Sequence, residues 1–144
     1  MESKTGMEKR KRTPVKVLLA IAAFLALVWT APVVYAHYSE LEIRWEDEYM
    51  EVEGHHGEKI YYADMKEISL QPKLPRTIMR SNGFACCTTR LGEYLREDKK
   101  TITLLTHSDS CCIKIECKDG NIFYLNAKIV GMTMEVYDRL RKGR

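Results

Sequence analysis

The five cysteines of this 144-residue sequence have the most chemistry open to them, and four of them form two adjacent pairs. Cys86 and Cys87 make one pair, Cys111 and Cys112 make the other, and Cys117 follows alone. A disulfide between one member of each pair would close a loop of about 25 residues and stabilise the fold by about 3 kcal/mol. The same thiols serve equally well as small buried apolar side chains, so both hypotheses stay open.

A zinc site is a further hypothesis, because zinc prefers imidazole and thiolate ligands. The available ligands are His107, Cys111, Cys112 and Cys117, with Cys86 and Cys87 upstream. However, the sequence contains no Cys-x2-Cys pair, and adjacent cysteines seldom bind one metal ion together. We therefore expect no metal site and no cofactor.

No motif in the sequence indicates catalysis. Redox enzymes of the thioredoxin kind need Cys-x-x-Cys in a βαβ unit, and that motif does not occur. The eight glycines are scattered without forming a phosphate-binding loop, and no nucleophile-elbow turn is present. We expect a protein that is not an enzyme.

A cluster of basic residues offers candidate contacts for an acidic ligand. Lys73, Arg76 and Arg80 lie close together in the sequence, with Arg90 and Arg96 further along, and such clusters attract lipid headgroups or acidic protein partners. A mixed, solvated surface is the ordinary alternative. Residues 1–36 carry six basic and two acidic groups, whereas the remaining 108 carry 17 basic and 18 acidic groups. Because the excess positive charge belongs to the N-terminus, we expect no binding of nucleic acid.

The elements that must position these residues begin with an apolar segment. Val17–Ala36 contains no charged residue over 20 positions. As a helix it would span about 30 Å, which is the hydrocarbon thickness of a bilayer. We predict a transmembrane helix at 17–36, with the lipid bilayer as its partner, after a basic tail at 1–16. Basic residues beside a span stay in the cytoplasm, so the N-terminus is predicted to be cytoplasmic and residues 37–144 to lie outside.

A cleaved signal peptide is the competing hypothesis for this segment. A basic region precedes the apolar stretch Val17–Trp29, and Val34 and Ala36 are small enough for positions −3 and −1 of a cleavage site. Cleavage would release a secreted or periplasmic protein that uses its cysteines for redox chemistry or metal binding. A cytoplasmic domain also stays open, because five cysteines suit a reducing compartment.

Residues 37–144 are predicted to be mainly β. Alternation of apolar and polar residues indicates six or seven strands, and Ser81-Asn82-Gly83 indicates a turn or a bulge. Asp119-Gly120 between two apolar runs predicts a tight two-residue hairpin turn. Successive strands favour an antiparallel sheet that is bent into a barrel.

A C-terminal helix at 128–142 is predicted to cover the open end of this barrel. After Asn126 the apolar spacing changes to that of an amphipathic helix. The predicted apolar face of the helix consists of Ile129, Met132, Val136, Tyr137 and Leu140.

Several of these residues resemble the bacterial pleckstrin-homology-like (PH-like) domains, which are often attached to membrane segments. The shared motifs are Ile68-x-Leu70, Leu74-Pro75-x5-Ser81-Asn82-Gly83-Phe84, Gly92 before a strand, and Asp119-Gly120-Asn121-Ile122-Phe123-Tyr124-Leu125-Asn126 before a helix. The resemblance covers residues 40–142 and implies a bent seven-stranded antiparallel barrel closed by the helix, without enzymatic activity. Cys86-Cys87 departs from the small residues expected there.

Together these features predict a single-pass protein of a bacterial cell membrane. Its domain outside the membrane would be a non-catalytic PH-like module for binding or assembly. The sequence does not identify its ligand, and a protein partner or a second copy of the chain is the candidate partner.

Overall fold

The computed structural model describes residues 14–143, which form an N-terminal helix, nine strands and a C-terminal helix. Most of the predicted basic tail at 1–16 lies outside the described residues. The helices are α1 (Val15–Tyr38) and α2 (Val130–Lys142). The strands are β1 (Ile43–Trp45), β2 (Tyr49–Val52), β3 (Glu58–Tyr61), β4 (Met65–Gln71), β5 (Thr77–Cys86), β6 (Thr89–Arg96), β7 (Thr101–Thr106), β8 (Cys112–Cys117) and β9 (Ile122–Asn126).

Helix α1 is 24 residues long and apolar enough to cross a membrane, and none of its most apolar stretch is buried. It ends two residues beyond the predicted limit at Ala36. The chain divides after Pro32 into two compact units, so the last turns of α1 belong to the second unit with all the strands. Pro32 lies within α1. Because proline has no amide hydrogen, the carbonyl four residues earlier in the helix lacks its usual hydrogen-bond donor.

The strands form two sheets rather than one barrel. Strands β1, β2 and β3 make an antiparallel sheet, and the larger sheet has the order β4-β8-β9-β7-β6-β5. All neighbours in the larger sheet are antiparallel except β7 and β9, which are parallel. The predicted mainly β domain with a C-terminal helix is confirmed, but residues 14–143 form nine strands rather than six or seven, and one pair is parallel. Within residues 14–143, β4 and β5 are the edges of the larger sheet and do not pair with each other, so the sheet stays open.

The parallel pair arises because β9 lies between β7 and β8. Strand β9 follows β8 through a hairpin and pairs with it, and its other edge pairs with β7. All five residues of β9 are buried, as expected for a strand with both faces covered. The alternation of apolar and polar residues along a strand predicts which of its faces is buried. It does not predict which other strand will pair with it in the sheet.

The hairpin predicted at Asp119-Gly120 is confirmed, although its turn has three residues rather than two. The Cys117 amide donates to the Asn121 carbonyl at 2.8 Å, and the Gly120 amide donates to the Cys117 carbonyl at 3.0 Å. Gly120 has φ +93°, a conformation that suits glycine at the third position of such a turn. Asp119-Gly120 therefore predicts the position of the hairpin correctly, but not the number of residues in its turn.

The main core lies between the two sheets and α2. The small sheet and the segment before it contribute Leu41, Met50, Val52 and Ile60. The larger sheet contributes, among others, Leu105, Ile113, Ile115 and Leu125, and α2 contributes Leu140. A second cluster contains Tyr94, Ile102, Leu104, Cys112, Ile122 and Tyr124.

Helix α2 buries the later part of its predicted apolar face, because Val136, Tyr137 and Leu140 pack against the core, but the start of that face differs. Ile129 is 64% exposed and Met132 is 39% exposed, whereas Thr133 is fully buried. Ile129 precedes the first helical residue and has an extended backbone, so it does not share the helical period. The Thr133 hydroxyl accepts a hydrogen bond from the Ala127 amide at 3.0 Å, and this contact helps to set the rotation of the helix.

Candidate functional site

Three residues of the predicted basic cluster line one cleft of about 440 Å³. Lys73 and Arg76 come from the connection between β4 and β5, and Arg90 comes from β6. Glu97 and Asp109 complete the charged part of the lining. We call the cleft lined by these five residues the basic cleft.

Contacts with the hydrophobic core fix the segment of the cleft lining that contains Lys73. Leu74 packs against the second core cluster. The buried Cys112 thiol donates to the Lys73 carbonyl, with the sulfur 3.7 Å from the oxygen. Pro72 and Pro75 flank this stretch and keep it from extending β4, because proline cannot donate to a sheet. The cleft is therefore built on a fixed backbone.

The charges of the basic cleft are only partly neutralised within the domain. Arg90 forms an ion pair with Asp109. Lys73 and Arg76 are exposed and form no ion pair with another described residue. Among the described residues, Glu97 is the one remaining acidic residue of the cleft, so the two positive charges of Lys73 and Arg76 are available to bind an acidic ligand.

Arg80 does not line this cleft. It lies on β5 next to the hydroxyl of Tyr94, which donates to the Phe84 carbonyl at 3.0 Å. Burial raises the pKa of Tyr94, and the positive charge of Arg80 opposes that rise. The structure thus separates Arg80 from Lys73 and Arg76, whereas Arg90 of the predicted cluster, 14 residues beyond Arg76 in the chain, lines the cleft with them.

All five cysteines are free thiols in the structure. Cys86 and Cys87 lie at the hairpin between β5 and β6, whereas Cys111 precedes β8 and Cys112 begins it. The disulfide between the two pairs is not formed here and stays a prediction for oxidising conditions.

Cys112 and Cys117 are core residues. Burial raises the pKa of both thiols to about 11, so both are neutral at pH 7. Neutral buried thiols are poor nucleophiles and poor metal ligands. This agrees with the hypothesis that these two serve as small apolar side chains.

His107 is buried at the end of β7, with 4% of its surface exposed. Its Nδ1 lies 3.4 Å from the Ser39 hydroxyl, and its backbone amide donates to the Asn126 side chain at 2.8 Å. Burial, and then the positive charge of Lys128, lower the pKa of His107 to about 4. The imidazole is therefore neutral at pH 7. Within residues 14–143, no three histidine, cysteine or acidic side chains converge to hold a metal ion.

This burial predicts a loss of stability in mild acid. The pKa of His107 is about 4 when folded and about 6.5 when unfolded, so the unfolded chain binds more protons between these values. Neutral His107 makes its full contribution to the free energy of unfolding above pH 6.5, and the free energy of unfolding falls by about 2 kcal/mol by pH 5. Denaturant unfolding at pH 7.5 and pH 5 measures the loss.

Two histidine variants isolate the contribution of His107 to this pH dependence. His107→Gln should remove most of the acid-dependent loss, whereas His56→Gln, in the loop after β2, should retain it. Equal pH dependence in wild type and His107→Gln would contradict the assignment.

Sequence reasoning missed Asn126. Its side chain is fully buried and uses both of its polar atoms on residues 107–111, the connection between β7 and β8. Oδ1 accepts from the amides of His107 and Ser108 at 2.8 and 3.2 Å, and Nδ2 donates to the carbonyls of Ser108 and Cys111 at 3.0 and 3.3 Å. The only signal was a polar residue at the end of an apolar run, which is also typical of a turn.

No protein-family model, no curated protein and no solved structure matches this chain. The resemblance to PH-like domains therefore rests on the residues quoted for it.

Proposed function

We propose that the chain is a membrane-anchored, non-catalytic module for binding or assembly, of the PH-like kind. In this proposal α1 holds it in a bacterial cell membrane, with the N-terminus in the cytoplasm and residues 37–144 outside. The basic residues before Val17 and the acidic stretch after Ala36 support this orientation. A rigid two-sheet scaffold with an open, charged cleft suits recognition of a ligand.

The packing of Ala36 is the observation that carries the proposal. Ala36 is 3% exposed, and its carbonyl accepts a hydrogen bond from the Thr89 hydroxyl at 3.3 Å. On the preceding residue, the ring of Tyr35 contacts that of Phe84 edge to face, with centroids 5.1 Å apart. The end of the apolar helix thus contributes to the packing of the domain that follows it.

The same contacts argue against release by cleavage after Ala36. Cleavage would remove Tyr35 and Ala36 and leave the buried Thr89 hydroxyl without its acceptor. A buried donor without a partner costs about 1–3 kcal/mol. A domain evolved for release would not be expected to depend on its leader in this way.

Fractionation of cells that express a C-terminally tagged chain tests the anchor. We expect a full-length product of 16.7 kDa plus the tag in the membrane fraction. External protease should cut its domain only after the outer surface is opened. A soluble product that is smaller by about 4 kDa would overturn the anchor and favour the secreted redox or metal-binding protein.

Val34→Glu is the matched control for this measurement. Val34 is 52% exposed, so the substitution spares the packing of the domain. A signal peptidase needs a small residue at position −3, so this change would block cleavage after Ala36. A variant that differs in mass from wild type only by the substitution indicates an uncleaved anchor, whereas a variant heavier by about 4 kDa indicates cleavage of the wild type.

We further propose the basic cleft as the ligand site, with an acidic group such as a lipid phosphate as its ligand. Lys73 and Arg76 offer charges that no described residue pairs, beside the apolar wall of Leu74 and Leu104. Strands β4 and β5, at which the strand order of the larger sheet ends within residues 14–143, offer a second surface, on which a protein partner or another copy of the chain can add a strand.

Charge reversal in the basic cleft should abolish binding of a soluble headgroup. Calorimetry with glycerophosphoglycerol and the full chain in neutral detergent measures this. Each lost charge-assisted hydrogen bond costs about 1.5–3 kcal/mol, so Lys73→Glu with Arg76→Glu should weaken binding at least about 100-fold. Lys99→Glu with Lys100→Glu, in the exposed turn between β6 and β7, is the matched control and should change little. Equal losses in both variants, or no binding by wild type, would count against the cleft.

A further inference from the structure

The thiols of Cys86 and Cys87 contact each other at the tip of the β5–β6 hairpin. Their sulfur atoms are 3.6 Å apart. Cys86 pairs with Thr89 across the hairpin, so the turn contains only Cys87 and Thr88. Cys87 is exposed and Cys86 is half-buried, so reagents in solution can reach the pair.

The conformation of the turn explains why the two side chains meet. Adjacent residues of a strand point to opposite faces, which keeps their side chains apart. Cys87 instead has φ +56°, a left-handed conformation that is unfavourable for cysteine and readily adopted by glycine. This turn directs the Cys87 thiol back toward that of Cys86.

Cys111 and Cys112 are adjacent in sequence but do not form such a pair. Cys112 is fully buried and donates to the Lys73 carbonyl, whereas Cys111 lies partly exposed before β8. They therefore provide an internal comparison of the same residue types at the same spacing.

We propose that Cys86 and Cys87 form a two-thiolate chelating site for trivalent arsenic, either as arsenite or as an organic arsenoxide. Arsenic(III) is thiophilic, binds pyramidally and needs only two protein sulfurs when an organic group fills its third position. With bonds of about 2.3 Å, the length of a zinc–sulfur bond, sulfurs 3.6 Å apart subtend an angle of about 100° at the bound atom, which fits a pyramidal centre. A linear two-coordinate ion would need sulfurs about 4.6 Å apart at this bond length.

Two other uses of the pair fit the structure less well. Zinc needs four ligands, and within residues 14–143 no third histidine, cysteine or acidic side chain joins these sulfurs. A disulfide between adjacent residues would join Cα atoms about 3.8 Å apart, below the usual range of about 4.4–6.8 Å. The reaction with an arsenoxide needs no oxidant. Two arsenic–sulfur bonds form, the bond from arsenic to the oxide oxygen breaks, and that oxygen leaves as water with the two thiol protons.

Titration of the reduced full chain in detergent with phenylarsine oxide tests the site. We expect one phenylarsenic group per chain by intact mass, with loss of two thiols that react with a soluble aromatic disulfide. Cys86→Ser and Cys87→Ser should each weaken binding by at least about 100-fold, since the second bond no longer forms within the same molecule. Cys111→Ser should bind as wild type does.

Cys87→Gly keeps this test independent of misfolding. Glycine suits the left-handed conformation of the turn, so this variant should melt no lower than wild type while losing the arsenical. No binding by wild type, undiminished binding by Cys87→Gly, or loss of binding in Cys111→Ser would overturn the proposal.

Discussion

Asn126→Ala is expected to lower the free energy of unfolding by about 3–5 kcal/mol, a large fraction of the stability of a small domain. Asn126 is fully buried and makes four hydrogen bonds to the connection between β7 and β8. Alanine fills less space and satisfies none of those backbone groups. The amide of His107 is buried as well, so water does not easily replace its lost partner.

The position of Asn126 in the sheet adds to this effect. Residues 107–111 leave β7, pass the end of β9 and enter β8, and Asn126 is the last residue of β9. Its side chain thereby fastens the connection to the strand that it passes. Removing the amide frees this connection at the point where the sheet departs from an antiparallel order.

Denaturant unfolding of the full chain in detergent measures the loss, with Asn121→Ala as the matched control. Asn121 is an exposed asparagine in the turn between β8 and β9, and its side chain bonds only to Asp119 within the described residues. Its replacement should cost less than about 1 kcal/mol. A small loss at Asn126, or equal losses at both asparagines, would show that the connection does not depend on these bonds.

Gly92→Ala is expected to destabilise the fold by about 3–5 kcal/mol, through backbone strain and overpacking together. Gly92 faces Gly83 across β5 and β6, and the two have φ +110° and +126°. A Cβ on Gly92 would lie 2.5 Å from the Asn82 carbonyl oxygen and 2.7 Å from the Gly83 Cα. Both obstacles are backbone atoms, so no side-chain rotation relieves them.

Gly131→Ala serves as the control for replacing glycine by alanine. Gly131 lies in the first turn of α2, and an added Cβ there would meet no atom within 4 Å. Because alanine favours helices, this change should stabilise the protein by about 0.5–1 kcal/mol. Opposite shifts in melting temperature are therefore expected for the two variants. A Gly92→Ala protein that melts like wild type would contradict the close approach of β5 and β6.

Local signals in the sequence predicted local structure well. The uncharged run at Val17–Ala36 predicted a helix long enough to span a membrane, and Asp119-Gly120 predicted the β8–β9 hairpin. Ser81-Asn82-Gly83 indicated a turn or a bulge, and the register shift between Arg80 and Asn82 confirms the bulge. Each of these depends on residues that are neighbours in the chain.

Contacts between distant residues could not be predicted in this way. The insertion of β9 beside β7 depends on which buried strand packs best there, and alternation of residue types carries no such information. The same applies to the basic cleft, because the sequence did not show that Arg90 would join Lys73 and Arg76 there and that Arg80 would not. The predicted apolar face of α2 begins one turn too early, at Ile129, because this residue is apolar and yet exposed.

The central place of β9 also governs when the domain can fold during synthesis. Strand β9 is the last strand to leave the ribosome, and until it arrives β7 and β8 lack the neighbour that joins them. Without β9 the larger sheet would consist of two separate parts, β4 with β8 and β5 with β6 and β7. The sheet therefore cannot be completed before residue 126 has been made, and pairings over long sequence separations form slowly.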